Sequence, residues 1–299
     1  MDLNYLMEQN NWQKVIPIEK GWSADEKYQV ITKEGESLLL RISDKSNWKE
    51  KQEEFQRIQL FNQLPDLMSR VIKLEEIPDT DNIYMLLSYL EGNDLESVLP
   101  LLTEENQYDL GIEAGKILKK FHQIDIEKDE AMILRKLQDK KIHQLNRFLN
   151  SQYASLPQVE VLEKYVRDNS YQILEQSVSL QHGDFHAGNL IYTNNKKVGV
   201  IDFNRSDIGD PYEEFYKLQM FGKESSQLFV KGIIMGYFEN NVPEGFWRMQ
   251  KFYVFHTSLF SITWAENFFK EDVEKMIERM YQNLADYDDG KRLIPKWWD

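Results

Sequence analysis

The 299-residue chain contains no cysteine, which excludes disulfides, thiolate metal sites and a cysteine nucleophile and suits a cytosolic protein. It has no apolar run approaching the ~18 residues that a membrane span requires. Its hydrophobic C-terminal stretches are repeatedly broken by Lys, Glu, Asn and Gln. The first residues, MDLNYLMEQNNW, have neither a basic n-region nor an apolar h-region, so no signal peptide is expected. Positive charge is short: 36 Lys and Arg stand against 50 Asp and Glu, a net charge of −14. A nucleic-acid partner is therefore not expected, since phosphate backbones are bound by cationic side chains that release counterions. The acidic balance favours a cationic small partner, or serves solubility alone. What is present, 41% hydrophobic and 29% charged residues, is ordinary for a soluble globular protein. The length allows one large domain or two joined lobes with a sizeable core.

Chemistry concentrates in the stretch from Gln181 to Pro211, QHGDFHAGNLIYTNNKKVGVIDFNRSDIGDP. Asp184 is followed by Asn189 five positions later and by Asp202 thirteen beyond that, with a short apolar strand pair between. Phosphoryl transfer needs a carboxylate to orient the nucleophilic hydroxyl, and an Asn and an Asp to hold Mg²⁺ on the nucleotide phosphates. In protein kinases the first two lie in a D-x-x-x-x-N loop and the second Asp on the following hairpin. The competing reading of the same stretch is a transition-metal site of His182, Asp184, His186 and Asp202, which leaves Asn189 and the Asp-Phe-Asn turn unexplained.

At His182-Gly183-Asp184 and Asn189 the sequence resembles the aminoglycoside phosphotransferase family, whose catalytic loop reads His-Gly-Asp-x-x-x-x-Asn. Ile201-Asp202-Phe203, Arg205 and Gly209-Asp210-Pro211 are similar to that family's magnesium segment and its sequel. The resemblance implies an α+β, two-lobed protein-kinase-like fold, with a small, mainly antiparallel sheet in the N-terminal lobe and a large helical C-terminal lobe. It implies residues 1–90 as a nucleotide-binding lobe and 91–299 as the lobe carrying catalysis and the acceptor site. The implied activity is transfer of the γ-phosphate of ATP or GTP, with Mg²⁺, to a hydroxyl of a small molecule such as an aminoglycoside. Alternatives within the same chemistry are a macrolide, choline, amino-sugar or homoserine-like acceptor. A protein kinase is disfavoured, because no Ala-Pro-Glu segment follows Asp202.

The resemblance also implies roles along the chain. Ser23, in the turn Gly21–Glu26, is the candidate side chain over the nucleotide. Arg41 stands where the family carries a phosphate-gripping Lys; the two are not interchangeable, and this departure motivates a different alternative, a nucleotide-binding pseudoenzyme. A helix is expected over about 47–64, and Glu54, sharing a face with Ile58 and Phe61, is expected to orient Arg41. Backbone contacts to the base are expected at Ser88 and Leu90. A buried helix is read from the stripe Leu110, Ala114, Ile117 and Phe121, with His122 structural and Asp210 capping the helix after Pro211. For the acceptor side, Arg205, Trp264 and Glu266 are the candidates, with Glu213, Glu214 and Asp272 as further carboxylates for substrate amines.

Overall fold

The computed structural model describes residues 3–19 and 25–299. The chain forms two compact units, Met1–Leu95 with Gly188–Ser206, and Glu96–Ala187 with Asp207–Asp299. The chain passes from the second unit to the first inside the Asp184–Asn189 loop and returns after Ser206.

The first unit is built on a five-stranded antiparallel sheet in the order β1-β2-β3-β5-β4. Its strands are β1 (Trp12–Pro17), β2 (Glu26–Thr32), β3 (Ser37–Asp44), β4 (Val71–Glu76) and β5 (Asn82–Ser88). Side chains alternate between faces along a strand. In β3, Leu38, Leu40 and Ile42 accordingly join Leu6, Trp12, Val30, Tyr84 and Leu86 in a core that includes α1 (Leu3–Gln9). The same alternation sends Arg41 and Ser43 to the opposite face.

Helix α2 (Trp48–Phe61) buries Lys51, Glu54, Ile58 and Phe61, a stripe at helical spacing. Its apolar end packs on the returning segment: the Phe61 and Phe203 rings lie 4.8 Å apart. That segment also adds strands β8 (Leu190–Thr193) and β9 (Val198–Val200), which form a small sheet with β6 (Gly92–Asp94). These pairings are why residues 188–206 fold with the N-terminal residues rather than with their sequence neighbours.

Short α3 (Leu95–Val98) leads into the second unit, where α4 (Glu104–His122) is capped by Thr103, whose hydroxyl accepts from Asn106 N–H at 3.3 Å. The expected stripe Leu110, Ala114, Ile117 and Phe121 is buried. Helices α5 (Glu130–Leu149) and α6 (Val159–Asn169) follow, then β7 (Ser179–Gln181), which pairs antiparallel with β10 (Asp207–Gly209). After short α7 (Lys223–Ser225), α8 (Gln227–Tyr237) lies directly on α4 through a seam of glycines. A Cβ added to Gly115 would stand 2.1 Å from the Ile233 carbonyl oxygen, and one on Gly236 2.3 Å from that of Ile112. Helix α9 (Glu244–Phe268) is the central element of this unit: Phe252, Tyr253, Val254 and Phe255 are consecutive and all fully buried, so it is covered all round. Helix α10 (Val273–Asp286) packs against it. Among the described residues no helix is long and apolar enough to cross a membrane.

Candidate active site

In the second unit β7 delivers the catalytic loop. Gly183 turns it with φ +79°, a conformation that favours glycine. Glu214, in the turn after Pro211, reaches under the loop and accepts from His182 N–H at 2.9 Å and from Gly183 N–H at 2.6 Å. His122 Nε2 lies 3.0 Å from the same carboxylate, and its Nδ1 lies 2.8 Å from the Tyr237 hydroxyl. Burial would push the Glu214 carboxyl up, but the hydrogen bond and charge of His122 outweigh it and hold the group below its ordinary value. Glu214 is 4% exposed. It is therefore a brace for the loop, not a carboxylate offered to substrate amines; the expectation for it is corrected. Glu213 is likewise engaged, by the buried Lys141 at 2.5 Å, and Asp272 by Lys275 at 2.9 Å. His122 is structural, as expected.

Asp184 donates its own N–H to His182 Nδ1 at 3.2 Å, which fixes the loop from within. Its carboxylate takes a hydrogen bond from Lys217 Nζ and lies 3.3 Å from His186 Nε2. Lys217 also donates to the Gly183 carbonyl at 3.0 Å, so it is positioned by the loop it serves. Burial would raise the Asp184 carboxyl; the His186 hydrogen bond and the Lys217 charge outweigh it and hold it far below the usual carboxylate range. Asp184 is thus held as an ionised hydrogen-bond acceptor. Asp210 is fully buried, caps the turn by accepting from Tyr212 N–H at 2.9 Å, and accepts from the Tyr253 hydroxyl at 2.7 Å. Burial raises its carboxyl to about 7.

In the first unit Asn189 closes a short helical turn, and its carbonyl accepts from Ile201 N–H at 3.1 Å, tying the loop to the residue before Asp202. Asp202 has left-handed backbone angles, φ 64° and ψ 64°, an uncommon conformation for a residue other than glycine and of the kind that clusters at functional sites. Lys27 Nζ lies 3.6 Å from its carboxylate. Lys27 is the direct partner of Arg41 across β2 and β3, so the two side chains share a face.

Arg41 Nη1 donates to Glu54 at 2.5 Å, the pairing read from the helical face of Glu54. Two further groups join it. Asp25 accepts from Arg41 Nε at 3.0 Å and from Ser43 at 2.7 Å, and Lys51 Nζ donates to Asp25 at 2.7 Å and to Glu54 at 3.3 Å. Burial would raise the Asp25 carboxyl, but the Arg41 charge and the Lys51 and Ser43 hydrogen bonds bring it down to about 2.

Of the remaining candidates, Ser23 lies outside the described residues. Ser88 ends β5 with its N–H donated to the Arg70 carbonyl at 2.8 Å and its hydroxyl accepting from Arg70 N–H, so its N–H is already engaged. Leu90 is half-buried just beyond it. Arg205 is exposed at the end of the turn after Asp202. Trp264 and Glu266 lie together near the end of α9: the Trp264 ring packs 5.0 Å from Phe269, and Glu266 accepts from Gln152 at 2.8 Å.

Among the described residues no three His, Asp or Glu side chains are grouped to hold a metal ion by themselves, so the transition-metal alternative has no cage. Asn189 and Asp202 instead offer the few hard oxygens that suit Mg²⁺, which keeps waters and takes the rest of its ligands from phosphates.

A family model described as the phosphotransferase enzyme family matches residues 14–249. The chain belongs to that family. No curated protein sequence matches it. Among solved structures it is similar to the gentamicin complex of APH(2″)-IIa, with 20% identity, TM-score 0.65 and coverage of 94% of this chain and 95% of that one. It is similar to a thermostable mutant of aminoglycoside phosphotransferase APH(4)-Ia, with 15% identity, TM-score 0.71 and coverage of 94% and 98%. It is also similar to amicoumacin kinase hAmiN in complex with AMP-PNP, Ca²⁺ and Ami, with 13% identity, TM-score 0.66 and coverage of 99% and 96%. At these identities the likeness is one of fold: α+β, two-lobed and kinase-like, as the catalytic loop implied. For a phosphotransferase-family chain, the sequence reading missed Asp25, Lys27, Lys51 and Lys217. Lys51 left a signal, since it falls on the same buried stripe as Glu54, Ile58 and Phe61.

Proposed function

We propose that the protein is an ATP- or GTP-dependent O-phosphotransferase that moves the γ-phosphate to a hydroxyl of a cationic small molecule of the aminoglycoside type. The first unit, residues 1–95 with 188–206, serves as the nucleotide-binding lobe and the second, 96–187 with 207–299, as the catalytic and acceptor lobe, and the reaction takes place in the cytosol. Asp184 accepts a hydrogen bond from the acceptor hydroxyl and aims its oxygen at the γ-phosphorus. As the new O–P bond forms and the nucleoside diphosphate leaves, the hydroxyl proton passes to the Asp184 carboxylate and then to solvent. Positioning and charge dominate such a transfer, which suits a carboxylate already held ionised. Asn189 and Asp202 hold Mg²⁺, which when bound neutralises charge on the phosphate oxygens.

The observation that carries this reading is the environment of Asp184: ionised by Lys217 and His186, on a loop pinned by Glu214. The net charge of −14 supports a cationic acceptor. Gentamicin, streptomycin and kanamycin complexes among the structural neighbours support an aminoglycoside, and their ATP, ADP and GDP complexes support a purine nucleotide. The amicoumacin kinase among them keeps other hydroxylated antibiotics in view.

The test is nucleotide consumption with Mg²⁺ against a panel of aminoglycosides, macrolides, choline and amino sugars, for the wild type and Asp184→Asn. Acceptor-stimulated turnover that falls at least ~100-fold in the variant, with nucleotide affinity by calorimetry retained, is the expected result. Nucleotide binding without turnover on any acceptor would favour the pseudoenzyme alternative, and no nucleotide binding would refute the proposal.

A further inference from the structure

The sheet face that carries Arg41 holds three cations and three carboxylates in ion pairs: Lys27 with Asp202, and Arg41 and Lys51 with Asp25 and Glu54. Its members are not equivalent. Arg41 lies between both carboxylates, with Nε and Nη2 on Asp25 and both terminal nitrogens on Glu54, and its side chain is only 5% exposed. Releasing it for a ligand would break its hydrogen bonds to two buried acids at once. Lys51 has twice the exposure, a flexible four-carbon stem and a compact ammonium with three donors, two of them engaged.

The two carboxylates also differ. Glu54 sits in the middle of α2, on a face anchored by the fully buried Ile58 and Phe61. Asp25 stands immediately before the first residue of β2. With Asp25 in place, the four charges Arg41, Lys51, Asp25 and Glu54 sum to zero; with Asp25 turned away they sum to one positive charge. An incoming phosphate oxygen is drawn by that positive charge, and of the two acids Asp25 lies at the end of a strand rather than inside a helix, held there by hydrogen bonds from Arg41, Lys51 and Ser43.

We propose that Lys51 is the side chain that grips the phosphates of a nucleoside triphosphate, and that Asp25 is its counter-ion, displaced when those phosphates bind. Arg41 then serves as a fixed clasp that orients Glu54 and Lys51, which accounts for an arginine at the position where the family carries a phosphate-binding lysine. The inference rests on the nucleotide-binding reading above.

The test compares the full-length wild type with Asp25→Asn and with the double variant Asp25→Asn/Lys51→Met, by calorimetry of ATP and GTP with Mg²⁺ and of the free nucleosides. The double variant removes one charge of each sign and keeps the Arg41–Glu54 pair, so it remains foldable where Lys51→Met alone leaves an excess of buried acid; thermal melting checks this. Asp25→Asn is expected to bind triphosphate about tenfold more tightly than wild type, and the added Lys51→Met to reverse that by about tenfold or more. Nucleoside affinity stays unchanged throughout. Asp25→Asn binding triphosphate more weakly, or Lys51→Met leaving the triphosphate-to-nucleoside ratio of Asp25→Asn unchanged, would overturn this inference alone. Wild type binding neither triphosphate nor nucleoside would overturn the nucleotide-binding reading together with it.

Discussion

Replacing Glu214 by Gln isolates the brace beneath the catalytic loop. The change is isosteric, and the lost charge is the only large alteration. Both carboxylate oxygens accept from the loop: one faces Gly183 N–H at 2.6 Å, the other faces His182 N–H at 2.9 Å and His122 at 3.0 Å. A glutamine has one acceptor oxygen. In its better orientation it keeps His182 and His122 and points its own amide donors at Gly183 N–H, leaving that group buried without an acceptor. An orphaned buried donor costs about 1–3 kcal/mol, and the two surviving bonds lose their charge assistance, roughly half their strength. The sum is about 3 kcal/mol, which for a unit of this size lowers the melting temperature by about 6–12 °C. A loop displaced by an ångström at Asp184 also loses about a hundredfold in turnover. Melting followed by circular dichroism, with kcat and KM measured on the same samples, checks both. Glu213→Gln is the control for turnover, since it leaves the loop's partners untouched while it alters the Lys141 pair. A Glu214→Gln protein that melts at the wild-type temperature and turns over at the wild-type rate would refute the bracing argument.

Three further outcomes are expected. Lys217→Met removes the main cation beside Asp184, so the Asp184 carboxyl rises toward its ordinary value and the acid limb of kcat/KM against pH moves upward; an unmoved limb would show that Lys217 does not hold Asp184 ionised. Asp210, raised by burial to about 7 from 3.8, binds its proton more tightly in the folded state. Its contribution to stability is therefore complete below pH 3.8 and is lost as pH rises to about 7. Asp210→Asn removes that loss, so its melting temperature relative to wild type climbs between those limits, and a constant difference would count against the raised value. Gly115→Ala drives a methyl onto the Ile233 carbonyl and Tyr237 N–H of α8, rigid backbone that cannot yield, and costs about 1–3 kcal/mol or more in thermal or urea unfolding; a neutral effect would mean that α4 and α8 are not so close.

How much of this was legible in the sequence depended on whether the signal was local. The resemblance implied an acid on α2 for Arg41, and helical spacing, which puts Glu54, Ile58 and Phe61 on one face, selected Glu54. The buried stripe of α4 was equally readable. The lysines were not. Lys217 meets Asp184 from 33 residues away and Lys51 meets Asp25 from 26, separations over which pairing is decided by how elements cross, not by spacing. Glu214 was misread for a related reason. A carboxylate close after the loop reads as one offered to substrate amines, and only the fold reveals that two backbone N–H groups converge on it. The segment 188–206 was assigned by sequence order to the C-terminal part, whereas strand pairing with β6 carries it into the first unit.

One physical constraint links the lysines that spacing could not reveal. Phosphoryl transfer from a nucleotide needs carboxylates for the metal and the hydroxyl and cations for the phosphates, and all of them must persist before any ligand arrives. An ionised group enclosed without a counter-ion is costly and tends to neutralise by shifting its pKa. This chain, acidic as it is, places a lysine on each: Lys217 on Asp184, Lys27 on Asp202, Lys51 on Asp25. In the proposed function each ligand then replaces a partner of the same sign. Asp202 exchanges Lys27 for Mg²⁺, and Lys51 exchanges Asp25 for a phosphate oxygen. In that proposal each exchange swaps one counter-ion for another of the same sign, so that binding discriminates by geometry and charge number. An uncharged substitute at Asp25 disturbs that balance toward the phosphates, and one at Lys51 disturbs it away from them, so the two variants must move triphosphate affinity in opposite directions.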